Sequence, residues 1–186
     1  MLPPIPSWDA LHPLIIHFPV ALLLVAPLLI ILGMLLPKQS KGLFIAAFVL
    51  MALGTVATYV AVATGEAAGE LAERTAGVAA VLEGHEKLAE TTRLIFTALT
   101  VIFAVILFAP PLFKRNLKYR SWLVLSLAFL IFYSAGVVVL VNVAHQGGRL
   151  VHEFGVRAMT KSQSPPAESK STEIGKQEPK RTDDDD

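Results

Sequence analysis

Cysteine is absent from the 186 residues. Its absence excludes disulfides, thiolate zinc sites, iron–sulfur clusters and thioether-attached haem on this chain. Charge is scarce as well, at 17% of residues, against about 25% in soluble domains. The shortfall runs deeper than that figure, because the last 26 residues, Lys161 to Asp186, hold 12 of the 31 charges. With 54% hydrophobic residues and a mean hydropathy of +0.59, the remainder cannot present a water-facing surface all round. A soluble enzyme is thereby disfavoured. The net charge of +1 leaves no excess that would point to nucleic acid or to an acidic partner. Neither a Ser/His/Asp triad nor a glycine-rich phosphate loop is discernible.

What the chain does have is four long apolar runs, 14–36, 42–64, 94–113 and 122–144, none containing Asp, Glu, Lys or Arg. Each has about the 20 residues that a helix needs to cross a 30 Å hydrocarbon core. The first run is too long for a signal peptide, lacks a positive leader and is followed by further membrane segments, so it reads as a mature span. The connections at 37–41 and 114–121 carry Lys38, Lys41, Lys114, Arg115, Lys118 and Arg120 and no acid. The N-terminus and the long middle connection mix signs, from Asp9 to Arg93. Short basic loops belong in the cytoplasm, which predicts both termini outside, in the periplasm of a bacterial inner membrane.

Short connections make neighbouring spans antiparallel. The expected fold is therefore all-α, an integral membrane up-down-up-down four-helix bundle with the lipid bilayer as its first partner. Residues 1–13 form an N-terminal outer segment, 14–159 the transmembrane domain, and 160–186 a polar tail that composition marks as disordered. The second and third helices are expected to extend past the lipid through 67–74 and 86–93, with breaks near Gly77 and Gly84.

The five histidines, His12, His17, His85, His145 and His152, all fall at the same end of this bundle. His17 lies three residues inside the first apolar run, about 4.5 Å at helical rise. His145 closes the fourth, one turn beyond Asn142. Ionisable groups in a span usually face the bundle interior and mark function. His17 and His145 are thus the leading candidate ligands, with His12 and His85 as a second pair or as their support. Steps of three and four place Thr55, Tyr59, Val62, Glu66, Glu70 and Glu73 on one face, polar except at Val62. Gly65 and Gly69 permit close helix approach. Arg149, between His145 and His152 on a helical face, would pair with Glu66 or Glu70 or grip an anionic ligand group. Gly147 and Gly148 loosen the backbone or admit something bulky. Pro19 deprives the Ile15 carbonyl of its donor and would bend the helix beside His17.

The stretches His12-Pro-Leu-Ile-Ile-His-Phe-Pro19, Thr64-Gly-Glu-Ala-Ala-Gly69, His85-Glu86 and His145-Gln-Gly-Gly-Arg-Leu-Val151 resemble the bacterial domain of unknown function 2231 family. The resemblance spans roughly residues 11–156. It implies a four-span bacterial membrane protein and brings no established activity. Fusion of some relatives to cytochrome c modules hints at redox work, although this chain shows no such module.

Two imidazoles on facing helices can hold haem iron axially, and helix bundles build cofactor sites in their cores. The expected function is therefore a b-type haem subunit for electron transfer, with His17 and His145 as the principal ligands, His12 and His85 as a second pair or as their support, and Arg149 at a propionate. Its partner would be a soluble cytochrome or a larger respiratory complex. The alternatives are a non-haem metal site using His17, His145 and His85 with glutamates, and a cofactor-free structural or assembly subunit. Either way an accessory or electron-transfer role is expected over that of a stand-alone enzyme.

Overall fold

A computed structural model describes residues 7–72, 75–112 and 118–156. The described residues form a 3-10 turn, Trp8–Leu11, and five helices: α1 His12–Ile15, α2 His17–Leu35, α3 Ser40–Glu70, α4 Ala76–Leu112 and α5 Tyr119–His152. No strand occurs among them. The helices α1 and α2 are one path, since Ile16 between them keeps helical dihedrals (φ −59°, ψ −25°). The hydrogen-bond ladder lapses there because Pro19 offers no N–H to the Ile15 carbonyl. Counted so, four helical paths are long and apolar enough to cross a membrane: His12–Leu35, Ser40–Glu70, Gly77–Leu112 and Tyr119–His152.

Consecutive helices pack side by side, and α5 returns to pack on α2, closing a ring of four. The Trp8–Leu11 turn and α1 lie on α3. The fold is the all-α four-helix bundle that the apolar runs predict. The expected break near Gly77 is met, since helix is lost after Glu70 and resumes at Ala76, whereas the one near Gly84 is not, and α4 runs through that glycine unbroken. Each glycine costs a helix about 1 kcal/mol. Burial of Val78 and Leu82 against Leu150 of α5 outweighs that cost. The tail 160–186, Glu73 and Arg74, and the loop residues Lys114 and Arg115 lie outside the described residues.

The bundle is arranged as membrane proteins are, with its bulky apolar side chains outside. Phe132 is 70% exposed and Ile131 64%, whereas Thr64 is 0% and Ser126 2% exposed. Such an apolar belt is stable against lipid and not against water. Inside, Leu23, Ile30, Met51, Phe96, Phe103, Phe129 and Tyr133 form the main core. The ring is pinned by hydrogen bonds to carbonyls. Pro27 lies within α2 and removes the donor for the Leu23 carbonyl. The buried Tyr133 hydroxyl of α5 donates to that carbonyl at 2.7 Å. Tyr119, the first residue of α5, donates to the Met34 carbonyl at the end of α2 at 2.8 Å. Thr55 and Thr100 hydroxyls, 2.8 Å apart, join α3 to α4.

Candidate functional site

Helical phase decides which polar groups at the histidine end turn inward. The buried residues of α2 are Pro19, Leu23, Ala26, Ile30 and Gly33. Continued backward in steps of three and four, that stripe passes through residues 15 or 16 and reaches His12. His17 is off it. On α4 the buried stripe Phe103, Leu99, Phe96, Thr92 continues toward Leu82 through position 85. The structure accordingly brings together His12 and His85, with ring centroids 6.5 Å apart and planes at 86°. Both are half-buried, while His17, His145 and His152 are exposed. The expected meeting of His17 with His145 is not what the fold builds.

Each inward histidine is held in the same way. The Nδ1 of His12 lies 2.9 Å from the Ala61 carbonyl and 3.2 Å from Thr64 Oγ1 on α3. Thr64 Oγ1 spends its own proton on the Val60 carbonyl at 2.9 Å, with the Ala61 carbonyl at 3.1 Å. It is therefore an acceptor toward His12, and Nδ1 is the protonated ring nitrogen. The Nδ1 of His85 lies 3.1 Å from the Val143 carbonyl on α5 and is likewise the donor. Both lone pairs are left on Nε2, for which no partner occurs among the described residues.

Four residues past each accepting carbonyl stands a glycine. A Cβ at Gly65 would lie 2.9 Å from His12 Cε1, and one at Gly147 would lie 3.2 Å from His85 Cε1. Two antiparallel hairpins thus offer the same cradle, a carbonyl and a bare backbone one turn on, to a histidine of the preceding helix, His12 at the start of α1 and His85 in the third turn of α4. The bulky group that Gly147 admits is the His85 ring. Gly148 faces open space. Gly69 gives room to Glu86, whose Oε1 would sit 2.9 Å from a Cβ there.

The setting of the pair is apolar. Val78, Leu82 and Leu150 form a small core toward the helix ends, and the main core lies on the other side. His85 also stands lower than the distance from the third apolar run suggests. At 1.5 Å per residue it should rise about 13 Å above Arg93's neighbour Leu94, yet it contacts Val143, which is still inside the fourth run. The segment 85–93 is packed alongside apolar helix rather than standing free.

The remaining candidates are placed elsewhere. Arg149 pairs with Glu153 at 2.9 Å rather than with Glu66 or Glu70, and its other contact is Gln146 at 3.4 Å. Asn142 is exposed and satisfies itself on the Val138 carbonyl at 2.9 Å. The supposed polar face of α3 splits: Thr55 and Val62 are buried, while Tyr59, Glu66 and Glu70 are exposed, and Glu73 is outside the described residues. Among the described residues no three His, Asp or Glu side chains gather closely enough to hold a metal ion. Residues that sequence reasoning undervalued are Ala61, Thr64 and Val143, whose carbonyl and hydroxyl groups fix the two rings. Their signal was phase, since they sit one turn from the paired glycines.

A family model described as "Predicted membrane protein (DUF2231)" matches residues 8–160. No curated protein and no solved structure matches the chain.

Proposed function

Since this chain belongs to the DUF2231 family of predicted membrane proteins, we propose that its bundle holds a b-type haem and serves electron transfer, with His12 and His85 as the ligand pair in place of the expected His17 and His145. The observation that carries this reading is the facing pair of half-buried imidazoles with centroids 6.5 Å apart. Imidazole nitrogens bind transition metals at about 2.0–2.1 Å, so one iron held by both rings would require them to lie about this close. Ligand number separates the cofactors. A bare zinc or copper site asks for three or four protein donors. Haem iron, with four nitrogens of its own, asks for two. Among the described residues, His12 and His85 offer two.

When bound, haem supplies a one-electron ferric/ferrous couple. The chain's own residues do the rest. The Nδ1–H bonds to Ala61 and Val143 hold each imidazole in the tautomer that ligates through Nε2 and strengthen it as a donor. The Val78–Leu82–Leu150 cluster restricts water from one side. Arg149, engaged by Glu153, has no part in this reading. On this reading the histidine end and both termini face outside a bacterial inner membrane, the side that the positive-inside rule supports for such basic connections, and a soluble cytochrome or a respiratory complex would exchange electrons with it there. A second reading keeps the bundle and drops the cofactor. The same two hydrogen bonds, each crossing between helices, then serve only as pins.

A reduced-minus-oxidised absorption spectrum of detergent-purified protein, expressed with haem supplied, separates the two. A sharp b-type α-band that is lost in His12→Ala and in His85→Ala, and kept in His17→Ala and His145→Ala, is expected. A flat spectrum from folded, haem-supplied protein would sink the haem reading and leave the pins.

A further inference from the structure

At the opposite end of the bundle, residues of α2, α3, α4 and α5 line a cavity of about 360 Å³. That is the size of a small-molecule site. Its rim holds Ser40 and Tyr119, the first residues of α3 and α5, and Lys41 beside them. Two helices of 31 and 34 residues therefore aim their positive ends at one opening. Neither start carries a side-chain cap, so the first-turn N–H groups are not claimed by the chain's own side chains. Lys38, Lys118 and Arg120 flank the rim, and the connections 37–41 and 114–121 contain no acid. This opening attracts an anion.

The wall below is apolar and aromatic. Phe44 and Trp122 stack at 6.0 Å and 16°, with Leu107 and Phe108 beyond. Ser126 also lines the cavity, 2% exposed. Its hydroxyl has no hydrogen-bond partner among the described residues. It sits seven residues along α5 from Tyr119, about 10 Å below the rim. An unpaired hydroxyl in an apolar membrane interior is destabilising, so its position points to an oxygen supplied by a guest. Read from the rim inward, the cavity presents a site for negative charge, then an apolar and aromatic wall, with one hydrogen-bond donor at its base.

We propose that this cavity binds an anionic phospholipid, with its phosphate at the starts of α3 and α5, an ester carbonyl near Ser126 and an acyl chain along Phe44 and Phe108. Inorganic phosphate would share the rim chemistry but has no use for the wall. The two sources are therefore separable.

The chain has only two tryptophans, Trp8 and Trp122, so Trp8→Phe leaves the cavity tryptophan as sole reporter. In vesicles, brominated phosphatidylglycerol is expected to quench Trp122 more strongly than brominated phosphatidylcholine at equal mole fraction. Lys41→Gln should lower that head-group preference roughly fivefold and Lys41→Arg should keep it. Ser126→Ala should lower apparent affinity roughly threefold. Equal quenching by the two lipids would overturn the proposal. So would loss of the preference on adding inorganic phosphate but not chloride at equal ionic strength, which would make the rim a free-anion site. Should Lys41→Gln fail to fold, the head-group comparison in the Trp8→Phe protein alone decides the matter.

Discussion

The Leu23 carbonyl shows how one residue's defect is met by another across the bundle. Pro27 withdraws its helical donor, and Tyr133, 110 positions away from Leu23, replaces it at 2.7 Å. In hydrocarbon such a carbonyl has no water to turn to. Tyr133→Phe is therefore expected to lower stability by about 1–2 kcal/mol, read as a fall in thermal midpoint in detergent. Adding Pro27→Ala restores an N–H to the ladder and should recover part of the loss. If Tyr133→Phe costs the same with and without Pro27→Ala, the donor replacement is not what Tyr133 provides.

Among the helices, what matters is phase, and phase was the part least visible in the sequence. The four apolar runs gave the number of spans and their antiparallel order directly, because length and charge suffice for that. They could not tell the inward face from the outward one. In lipid both faces are apolar, so the periodic contrast that marks a soluble amphipathic helix is erased. His17 looked buried because it was deep in the run, and depth was mistaken for direction. The usable signal was the spacing of small and hydroxyl residues: Gly54, Thr58, Gly65 and Gly69 on α3, and Ser126, Gly136 and Gly147 on α5. Followed in steps of three and four, these lie on or beside the inward stripes. The same stripe on α2 leads to His12.

Glycine substitutions test that assignment. Gly65→Ala and Gly147→Ala put a methyl against His12 and His85, with 2.9 Å and 3.2 Å approaches to Cε1. Both should destabilise by about 1–3 kcal/mol, Gly65→Ala the more. Gly84 and Gly148 stand in helix with nothing within 4 Å of a Cβ. Gly84→Ala and Gly148→Ala should instead stabilise by about 0.5–1 kcal/mol. Thermal unfolding of the four variants in one detergent gives the ranking. A uniform response across the four would mean that helix propensity, and not the cradle, governs these positions.

For the whole molecule the two ends differ in kind. One has half-buried imidazoles between two apolar cores. The other has cations and helix starts around an open cavity. The lack of cysteine makes their sidedness easy to read, since any introduced thiol is the only one. Ser7→Cys is expected to react with a membrane-impermeant maleimide added to intact cells, and Ser40→Cys only after the membrane is opened. The reverse pattern would invert the orientation inferred from Lys38, Lys41, Lys118 and Arg120. A charge placed in the apolar belt, as in Ile131→Lys, should cost about 2.5–3.5 kcal/mol of membrane insertion, measured as the inserted fraction in a translocation assay.

The closed ring also sets an order of biogenesis. The pairs α2–α3 and α4–α5 are joined by short connections and can associate as soon as each hairpin is synthesised. The contact of α5 with α2 has to wait for the final span. Until then the first helix sits in the bilayer carrying a carbonyl that its own proline has disarmed, and the hydroxyl that answers it has yet to be translated. The nascent first hairpin is for that interval a client, dependent on lipid headgroups, water defects or an insertase to shelter that acceptor, and release from that dependence coincides with the arrival of α5.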